Sequence, residues 1–180
     1  MNEVPVLQSA RLKLREWRNS DRVPFAALNA DLEVMRHFPA PLTREMSDDF
    51  CDHIREVWCR GFGLWAVERL DDGKFVGFIG LSEPSWIEHF TPCIEIGWRL
   101  GRTSWGQGFA TEGATEVLSW AKQNVTFPRD EVVSFTVVRN TRSRRVMERL
   151  GFHHDPADDF DHPLLPDWPS RRHVLYRKHL

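Results

Sequence analysis

The sequence is poor in cysteine, in tyrosine and in long apolar runs. Its 180 residues include three cysteines and one tyrosine. Cys51, Cys59 and Cys93 are odd in number and form no C-x-x-C pair, which argues against a disulfide framework and suits a reducing compartment. No stretch approaches the roughly 18 apolar residues of a membrane span, and residues 1–10 lack a basic segment followed by an apolar one. We therefore expect a cytoplasmic protein with no membrane partner.

An excess of basic charge is also missing. The formal net charge is −2, so the chain has no electrostatic footprint for nucleic acid. With 41% hydrophobic and 28% charged residues, the composition is typical of a globular domain rather than a disordered chain. We expect one domain over residues 1–180, with small molecules or peptides as partners and with a homodimer as one assembly compatible with it.

Periodicity predicts alternating strands and helices in an α+β order. A strand is expected at 11–17, and an apolar stripe of Phe25, Leu28 and Leu32 predicts a helix after it. The remaining predicted elements are a helix at 43–60, a hairpin of 64–70 and 74–81 around Asp71-Asp72-Gly73, a strand at 93–100, a helix at 110–123, a strand at 131–138, a helix at 143–150 and a strand at 172–178. These elements predict helices packed on a mixed sheet.

The most informative segment is the run WGQGFAT, which lies between a predicted strand and a predicted helix. Gly106 and Gly108 let the backbone approach a ligand closely. The loop amides and the first free amides of the helix would form an anion site that suits a diphosphate. The run lacks the Gly-Lys-Ser/Thr of a Walker loop and the third glycine of a Rossmann fingerprint. A purely structural turn explains the same two glycines equally well.

This run resembles the pyrophosphate-binding motif of the GNAT acetyltransferases, Q/R-x-x-G-x-G/A, through Gly106, Gly108 and Ala110. Trp105 stands where Gln or Arg is usual, a change that resembles the branch of ribosomal-protein N-terminal (alanine/serine) acetyltransferases. That branch also shows W-G-x-G-[YF]-A-T-E, N-x-x-S and [LI]-G-F, matched here by 105–112, 140–143 and 150–152. The resemblance covers roughly residues 7–178 in element order.

The resemblance implies a mostly antiparallel sheet with a V-shaped opening between two central parallel strands, at 93–100 and 131–138. It also implies that acetyl-CoA is the cosubstrate and that no metal is needed. The pantetheine arm would pair with the backbone of Trp98, Arg99 and Leu100 and contact Asn140. The diphosphate would lie on the amides of the loop, which comprises Gly106, Gln107, Gly108, Phe109, Ala110 and Thr111.

Acyl transfer to an amine needs a neutral amine, a donor to the developing oxyanion and a proton for the departing thiolate. By resemblance, Ser143 would lie near the CoA sulfur and donate this proton, although its hydroxyl could equally cap a helix. Glu95 is the candidate base because Ile94 and Ile96 take the other face of its strand, although it could also be a paired structural carboxylate. The one tyrosine, Tyr176, does not match the position of the tyrosine acid in many GNAT enzymes.

Other chemistry-bearing residues favour simpler interpretations. Cys93 lacks an inferable base and is expected to be a packed thiol. His153 and His154 point to opposite faces of an extended segment and do not predict a metal site. The acidic run Asp158–His162 could attract a substrate ammonium or could be a solvated loop, and Trp17, Trp58 and Trp65 could wall an acceptor pocket or belong to the core. The basic residues Arg142, Arg144 and Arg145 could meet the 3′-phosphate of CoA or form a solvated helix face.

Three functions remain open on sequence grounds. The first is acetylation of a protein or peptide N-terminal amine. The second is acetylation of a small amine such as an antibiotic, a polyamine or an amino acid, and the third is CoA binding without turnover. Acceptor specificity in this fold rests on loops near 17–65 and 153–171, whose patterns do not decide between these functions.

Overall fold

The computed structural model describes residues 3–180. Of the N-terminal segment 1–10, residues 1 and 2 lie outside this range. Four α-helices and nine strands are formed over the described range. The strands are β1 (Leu7–Gln8), β2 (Leu12–Arg15), β3 (Leu64–Arg69), β4 (Phe75–Ser82), β5 (Glu95–Leu100), β6 (Glu131–Val137), β7 (His153–His154), β8 (Phe160–Asp161) and β9 (Arg172–His179). The helices are α1 (Arg22–Ala30), α2 (Arg44–Val57), α3 (Phe109–Asn124) and α4 (Thr141–Arg149).

The nine strands form one sheet in the order β1-β2-β3-β4-β5-β6-β9-β7, with β8 also paired to β9. Every neighbouring pair in this order is antiparallel except β5 and β6, which run parallel. A parallel pair needs a crossover, which α3 supplies between β5 and β6. The predicted α+β class and the mixed, mostly antiparallel sheet with flanking helices are therefore confirmed.

The largest core cluster lies between the sheet and helices α3 and α4. It buries alternate strand residues such as Leu12, Leu14, Ile79 and Ile96, none of which is exposed to solvent. The other sheet face carries a second cluster under α1 and α2 that includes Phe25, Cys51, Ile54 and Phe78. This alternation follows from the period of two in a strand, and it assigns every side chain of β4 and β5 to one of two faces.

Helix α2 follows from a capping signal and a glycine stop. The Thr43 hydroxyl accepts a hydrogen bond from the Met46 N–H, and the chain leaves the helix through a 3-10 turn that ends at Gly61 with φ of 92°. Its buried face is centred on Cys51 and Ile54. The prediction of a helix from 43 with a stop at Gly61 is thus confirmed in outline, although its last three residues are 3-10.

Several predicted boundaries are wrong. Helix α1 ends at Ala30, and Leu32, predicted on its apolar stripe, is 74% exposed in the loop that follows. The first predicted strand is confined to Leu12–Arg15, and β5 begins at Glu95 rather than at 93. Helix α4 begins at Thr141, two residues before the predicted start.

The three tryptophans considered for an acceptor pocket belong to the core instead. Trp17, Trp58 and Trp65 are at most 5% exposed. Their indole N–H groups donate to backbone carbonyl oxygens, those of Leu64 for the first two and of Pro5 for the third. Because the rings are buried and the indole N–H groups are hydrogen-bonded within the protein, these side chains stabilise the fold rather than line a site. No helix in the described part of the chain has both the length and the apolar character needed to cross a membrane.

Candidate active site

The two parallel strands separate soon after they meet, which creates the predicted V-shaped opening. Glu95 and Val133 are their single pair in register, and the Val133 N–H donates to the Ile94 oxygen at 2.9 Å. One residue further along β6, the Ser134 hydroxyl rather than a backbone group reaches β5, donating to the Ile96 oxygen at 2.8 Å. Beyond that point the two strand edges face each other without a register pair.

Backbone direction along β5 decides which residues can pair with a molecule in the opening. The Gly101 N–H donates to the Val76 oxygen of the β4 segment at 2.8 Å, whereas the Ile94 oxygen accepts from β6. The backbone N–H and C=O groups of successive residues point to opposite edges of a strand. Those of Trp98 therefore point to the opening, and those of Arg99 point to β4. The predicted backbone contact of Arg99 with pantetheine is therefore wrong.

Trp98 and Leu100 remain the residues predicted to pair with the pantetheine arm. The carbonyl oxygen of Leu100 already accepts a hydrogen bond from the Trp105 indole at 2.8 Å, so its N–H is the group left for a ligand. Trp105, which replaces the usual Gln or Arg, thus ties the end of β5 to the loop that follows.

The loop after β5 has the backbone conformation that the predicted anion cradle requires. Gly106 and Gly108 have φ of 75° and 83°, in the left-handed region that favours glycine, and α3 begins directly afterwards at Phe109. A Cβ on Gly106 would meet no atom within 4 Å, so the space beside this residue is open. The Thr111 hydroxyl is buried and has no hydrogen-bond partner among the described residues. An open cradle with free amides and an orphaned hydroxyl fits a diphosphate.

Arg11 stabilises the loop through a long-range contact that the pattern of apolar residues does not predict. Arg11 donates to the Gln107 oxygen at 2.9 Å and pairs with Glu112 in the first turn of α3. Burial alone would raise the pKa of Glu112, but hydrogen bonds from Ser9 and Arg11 outweigh it, so that the pKa lies below its usual value. The Gln107 carbonyl oxygen thus has a partner within the protein.

Of the other loop residues, Gln107 donates its side-chain amide to the Thr103 oxygen at 2.8 Å, and Phe109 is 4% exposed in the core. Ala110 is partly buried against the same core. These side chains are occupied within the protein, so any contact of the three residues with the diphosphate would be through their backbone N–H groups.

The start of α4 lies beside the cradle. The Arg142 guanidinium stacks over the Trp105 ring at 4.6 Å, which places a positive charge next to the loop. Asn140, not Ser143, caps the helix: its side-chain oxygen accepts from the Ser143 N–H at 3.3 Å, and its amide donates to Thr136 at 2.9 Å. The interpretation of Ser143 as the cap is therefore wrong, and its half-buried hydroxyl is free of that task.

Glu95 lies at the apex of the opening, where β5 and β6 meet. Its carboxylate accepts a hydrogen bond from the Ser82 hydroxyl at 3.1 Å, and no Lys, Arg or His of residues 3–180 forms an ion pair with it. Burial raises the pKa of Glu95 to about 8, which the Ser82 hydrogen bond offsets only in part. A carboxyl group with this pKa exchanges a proton near neutral pH, and its side-chain partner in the described part of the chain is a neutral hydroxyl rather than a cation.

The remaining candidates are occupied or inert. Burial raises the pKa of the Cys93 thiol to about 12, so it carries no thiolate at neutral pH. Tyr176 is 2% exposed, and its hydroxyl contacts Arg144 and donates to Glu148. Arg144 is thereby held inside the protein and is not a free ligand for a 3′-phosphate.

The carboxylates of the acidic run near residue 160 have partners within the protein. Asp158 pairs with Arg177, Asp159 lies 2.8 Å from His154, and Asp161 pairs with Arg171. Hence it offers no free carboxylate to attract a substrate ammonium. In the described residues, no group of three or more His, Cys, Asp or Glu side chains could hold a metal ion.

A parallel pair splayed at its carboxyl ends, with a glycine loop and a helix start at the mouth, defines a cleft for an elongated anionic ligand. Residues 11–153 match the family of the acetyltransferase (GNAT) domain. The chain belongs to this family. It is accordingly an acetyl-CoA-dependent N-acetyltransferase.

Three similar proteins illustrate the likeness. FsC-acetyl coenzyme A-N(2)-transacetylase of Aspergillus fumigatus is 32% identical in an alignment of 160 positions that covers 83% of this chain and 66%, just under two thirds, of that protein. An acetyltransferase structure from Agrobacterium tumefaciens superposes with a TM-score of 0.77 at 25% identity, over 100% of this chain and 97% of that one. A ribosomal L7/L12 alpha-N-protein acetyltransferase in complex with coenzyme A superposes with a TM-score of 0.76 at 14% identity, over 98% of each chain.

Replacing Gly108 with valine is expected to weaken CoA binding by at least tenfold. A β-branched residue is strained at a φ of 83°, and relief of that strain moves the amides of the cradle. Gly73→Val is the matched control, since Gly73 has a φ of 67° in the β3–β4 turn and a Cβ there meets no atom within 4 Å. Both variants should lose stability in thermal melts, but calorimetric titration with CoA should show weaker binding only for Gly108→Val. Equal affinities would show that the glycine serves the turn alone.

Proposed function

We propose that this enzyme transfers the acetyl group of acetyl-CoA to a protein or peptide N-terminal amine by direct attack, with Glu95 as general base and Ser143 as general acid. The observation that carries the proposal is the environment of Glu95. A partly exposed carboxyl group with a pKa of about 8 lies at the apex of the opening, bonded to a neutral hydroxyl rather than to a cation. This is the property required of a base that must deprotonate an ammonium group near neutral pH.

Space for an amine exists beside this carboxyl group. Gly97 follows Glu95 on the same face of β5, and a Cβ built on it would meet only the Glu95 carboxylate, at 3.8 Å. The absence of a side chain at 97 therefore leaves a gap over the strand. An amine in the gap would lie next to the base and next to the edge from which Trp98 presents its backbone.

Glu95 and Ser143 can then each carry out one of the two proton transfers that the reaction needs. Acetyl-CoA supplies an acetyl thioester. The Glu95 carboxylate accepts the proton of the amine, directly or through water, as the N–C bond forms, and the Trp98 N–H donates to the oxygen on which charge develops. The Ser143 hydroxyl donates a proton to the sulfur as the C–S bond breaks and takes one back from water, and Glu95 releases the proton that it accepted to water. Glu95 and helix α4 approach the opening from opposite sides of the sheet, which separates the base from the acid.

The charges around the site favour an acceptor with a single amine. A polycationic acceptor needs several free carboxylates, but those of Asp158, Asp159 and Asp161 are paired within the protein. The N-terminal acetyltransferase of ribosomal L7/L12 shares the fold, and a peptide N-terminus meets the requirement of one amine. A different acceptor nitrogen is the second candidate, because the Aspergillus relative is named as an N(2)-transacetylase of FsC.

An acceptor screen is expected to show turnover of peptides with a free N-terminus and not of the same peptides after N-terminal blocking. Release of free CoA thiol from acetyl-CoA would be followed with a tripeptide panel, with free amino acids and with a polyamine such as spermidine. A lysine-containing peptide with a blocked N-terminus serves as the control for side-chain amines. Turnover of spermidine or of the blocked peptide alone would contradict the proposed acceptor.

A further inference from the structure

The Arg99 side chain has an environment that the fold does not require. It extends from β5 on the same face as Glu95 and lies among three aromatic rings, with its guanidinium carbon 4.2 Å from the Phe38 centroid, 5.5 Å from Phe78 and 5.7 Å from Phe50. All three distances lie within the range of a cation–π interaction. An arginine held in this way is positioned before any ligand binds.

The hydrogen bonding of Arg99 is incomplete. Its Nη1 donates to the Asn29 side-chain oxygen at 2.6 Å, and Asn29 is fixed in turn by donating to the Ser47 hydroxyl at 2.9 Å. The Nε is buried and has no partner among the described residues, and no carboxylate of residues 3–180 pairs with the guanidinium. Burial lowers the pKa of Arg99 to about 10, so the side chain is still cationic at neutral pH.

The guanidinium of Arg99 and the carboxyl group of Glu95 belong to the same strand. Glu95, Gly97 and Arg99 share a face of β5, and their spacing puts the first and last Cα atoms about 13 Å apart. Gly97 between them adds no side chain, and the loop that carries Phe38 borders the far end. An extended acceptor with its amine at Glu95 would therefore reach Arg99 with its second or third residue.

We propose that Arg99 determines acceptor specificity by binding a carboxylate two or three residues from the acetylated amine, so that peptides with an acidic second or third residue are preferred. The inference rests on the proposed function. A carboxylate would complete the bonds of a guanidinium that is otherwise an uncompensated partly buried charge, and charge-assisted bonds of this kind are the strong ones. The fold offers no internal group for this purpose, because Asn29 contributes a neutral oxygen.

Matched peptides test the inference. Ala-Asp-Ala-amide and Ala-Ala-Asp-amide would be compared with the corresponding Asn peptides by kcat/KM with acetyl-CoA. One or two charge-assisted bonds predict a preference of about tenfold to a hundredfold for the better acidic peptide. Arg99→Met, which keeps most of the volume among the rings, should remove this preference, so that the ratio of kcat/KM between the acidic and the Asn peptides falls to about one.

Two further variants separate a specific contact from a general effect of charge. Arg102→Met removes an exposed arginine just beyond β5 and should keep the full preference. Asn29→Asp would supply an internal carboxylate to Arg99 and should abolish the preference with the arginine still present. That variant decides the inference even if Arg99→Met fails to fold.

The outcomes distinguish the inference from the function on which it rests. Equal kcat/KM for acidic and neutral peptides in the wild-type protein, or a preference that survives in Asn29→Asp and Arg99→Met, would overturn the role of Arg99 and leave peptide acetylation intact. If no peptide is turned over, calorimetric titration of the same peptides in the presence of CoA still decides the matter. Tighter binding of the acidic peptide, lost in Asn29→Asp, would support the contact, and equal binding would refute it.

Discussion

Glu95→Gln is expected to lower kcat at pH 7 by about a hundredfold or more, the range typical of lost general base catalysis. The amide matches the carboxyl group in shape and can still accept the hydrogen bond from Ser82, so the site is preserved. It cannot, however, take a proton from the acceptor amine. Steady-state kinetics at saturating acetyl-CoA would measure the loss, with Glu56→Gln on the exposed face of α2 as the control for removal of one negative charge.

The pH profile identifies the cause of that loss. With a pKa of about 8 for Glu95, wild-type kcat should rise with pH through that value as the carboxylate form accumulates. The variant should lose this acidic limb and recover part of its rate at high pH, where the amine deprotonates unaided. Cys93, the titratable neighbour, has a pKa of about 12 and does not interfere. A profile of unchanged shape would mean that Glu95 is not the base.

The same variant should be more stable than the wild type at alkaline pH. The folded pKa of Glu95 lies above its ordinary value of 4.5, so the native state binds the extra proton, and wild-type stability falls as pH rises from about 4.5 through about 8. Glutamine does not titrate, so the stability of the variant lacks this dependence on pH. Denaturant unfolding at pH 9 should therefore favour the variant by about 1 kcal/mol or more, whereas at pH 4 the two proteins should be alike. A variant that is destabilised at both values would indicate a structural carboxylate.

Ser143→Ala is expected to lower kcat by about a hundredfold, with the affinity for acetyl-CoA and the free energy of unfolding little changed. The stability should hold because Asn140 caps the helix, so deletion of the Ser143 hydroxyl leaves that hydrogen bond in place. Asn140→Ala is the companion variant and should lose about 1 kcal/mol of stability. If Ser143→Ala retained its kcat, the proton donor to the thiolate would have to be water or another group.

Where local chemistry sufficed, the sequence predicted the structure well. The Gly106–Gly108 spacing before an apolar helix predicted the loop conformation, because only glycine adopts both positive φ values without strain. The Asp71-Asp72-Gly73 turn predicted the hairpin, and the alternation of Ile94, Glu95 and Ile96 predicted the face that Glu95 takes. Each of these features depends on residues adjacent in the chain.

Features that depend on distant residues were not predictable in the same way. Arg11 supports the cradle through Glu112, which is 101 residues away, and no pattern near either residue indicates the pair. Leu32 fits a helical period, but the chain turns at Asp31 and exposes it. The Asn140 cap was missed because Ser143 and Asn140 are both good capping residues, and only the backbone angles decide which of them precedes the first turn.

Strand β5 carries two kinds of recognition that can diverge separately. On the proposed function, a molecule in the opening would meet the peptide groups at Trp98 and Leu100, which any residue but proline supplies in full, whereas an acceptor would meet the side chains of Glu95 and Arg99 across the gap at Gly97. Substitutions at the odd positions can therefore change the acceptor while the cosubstrate site stays the same. In evolutionary terms, a duplicated copy of this gene could acquire a new acceptor through substitutions in this one strand and still bind acetyl-CoA.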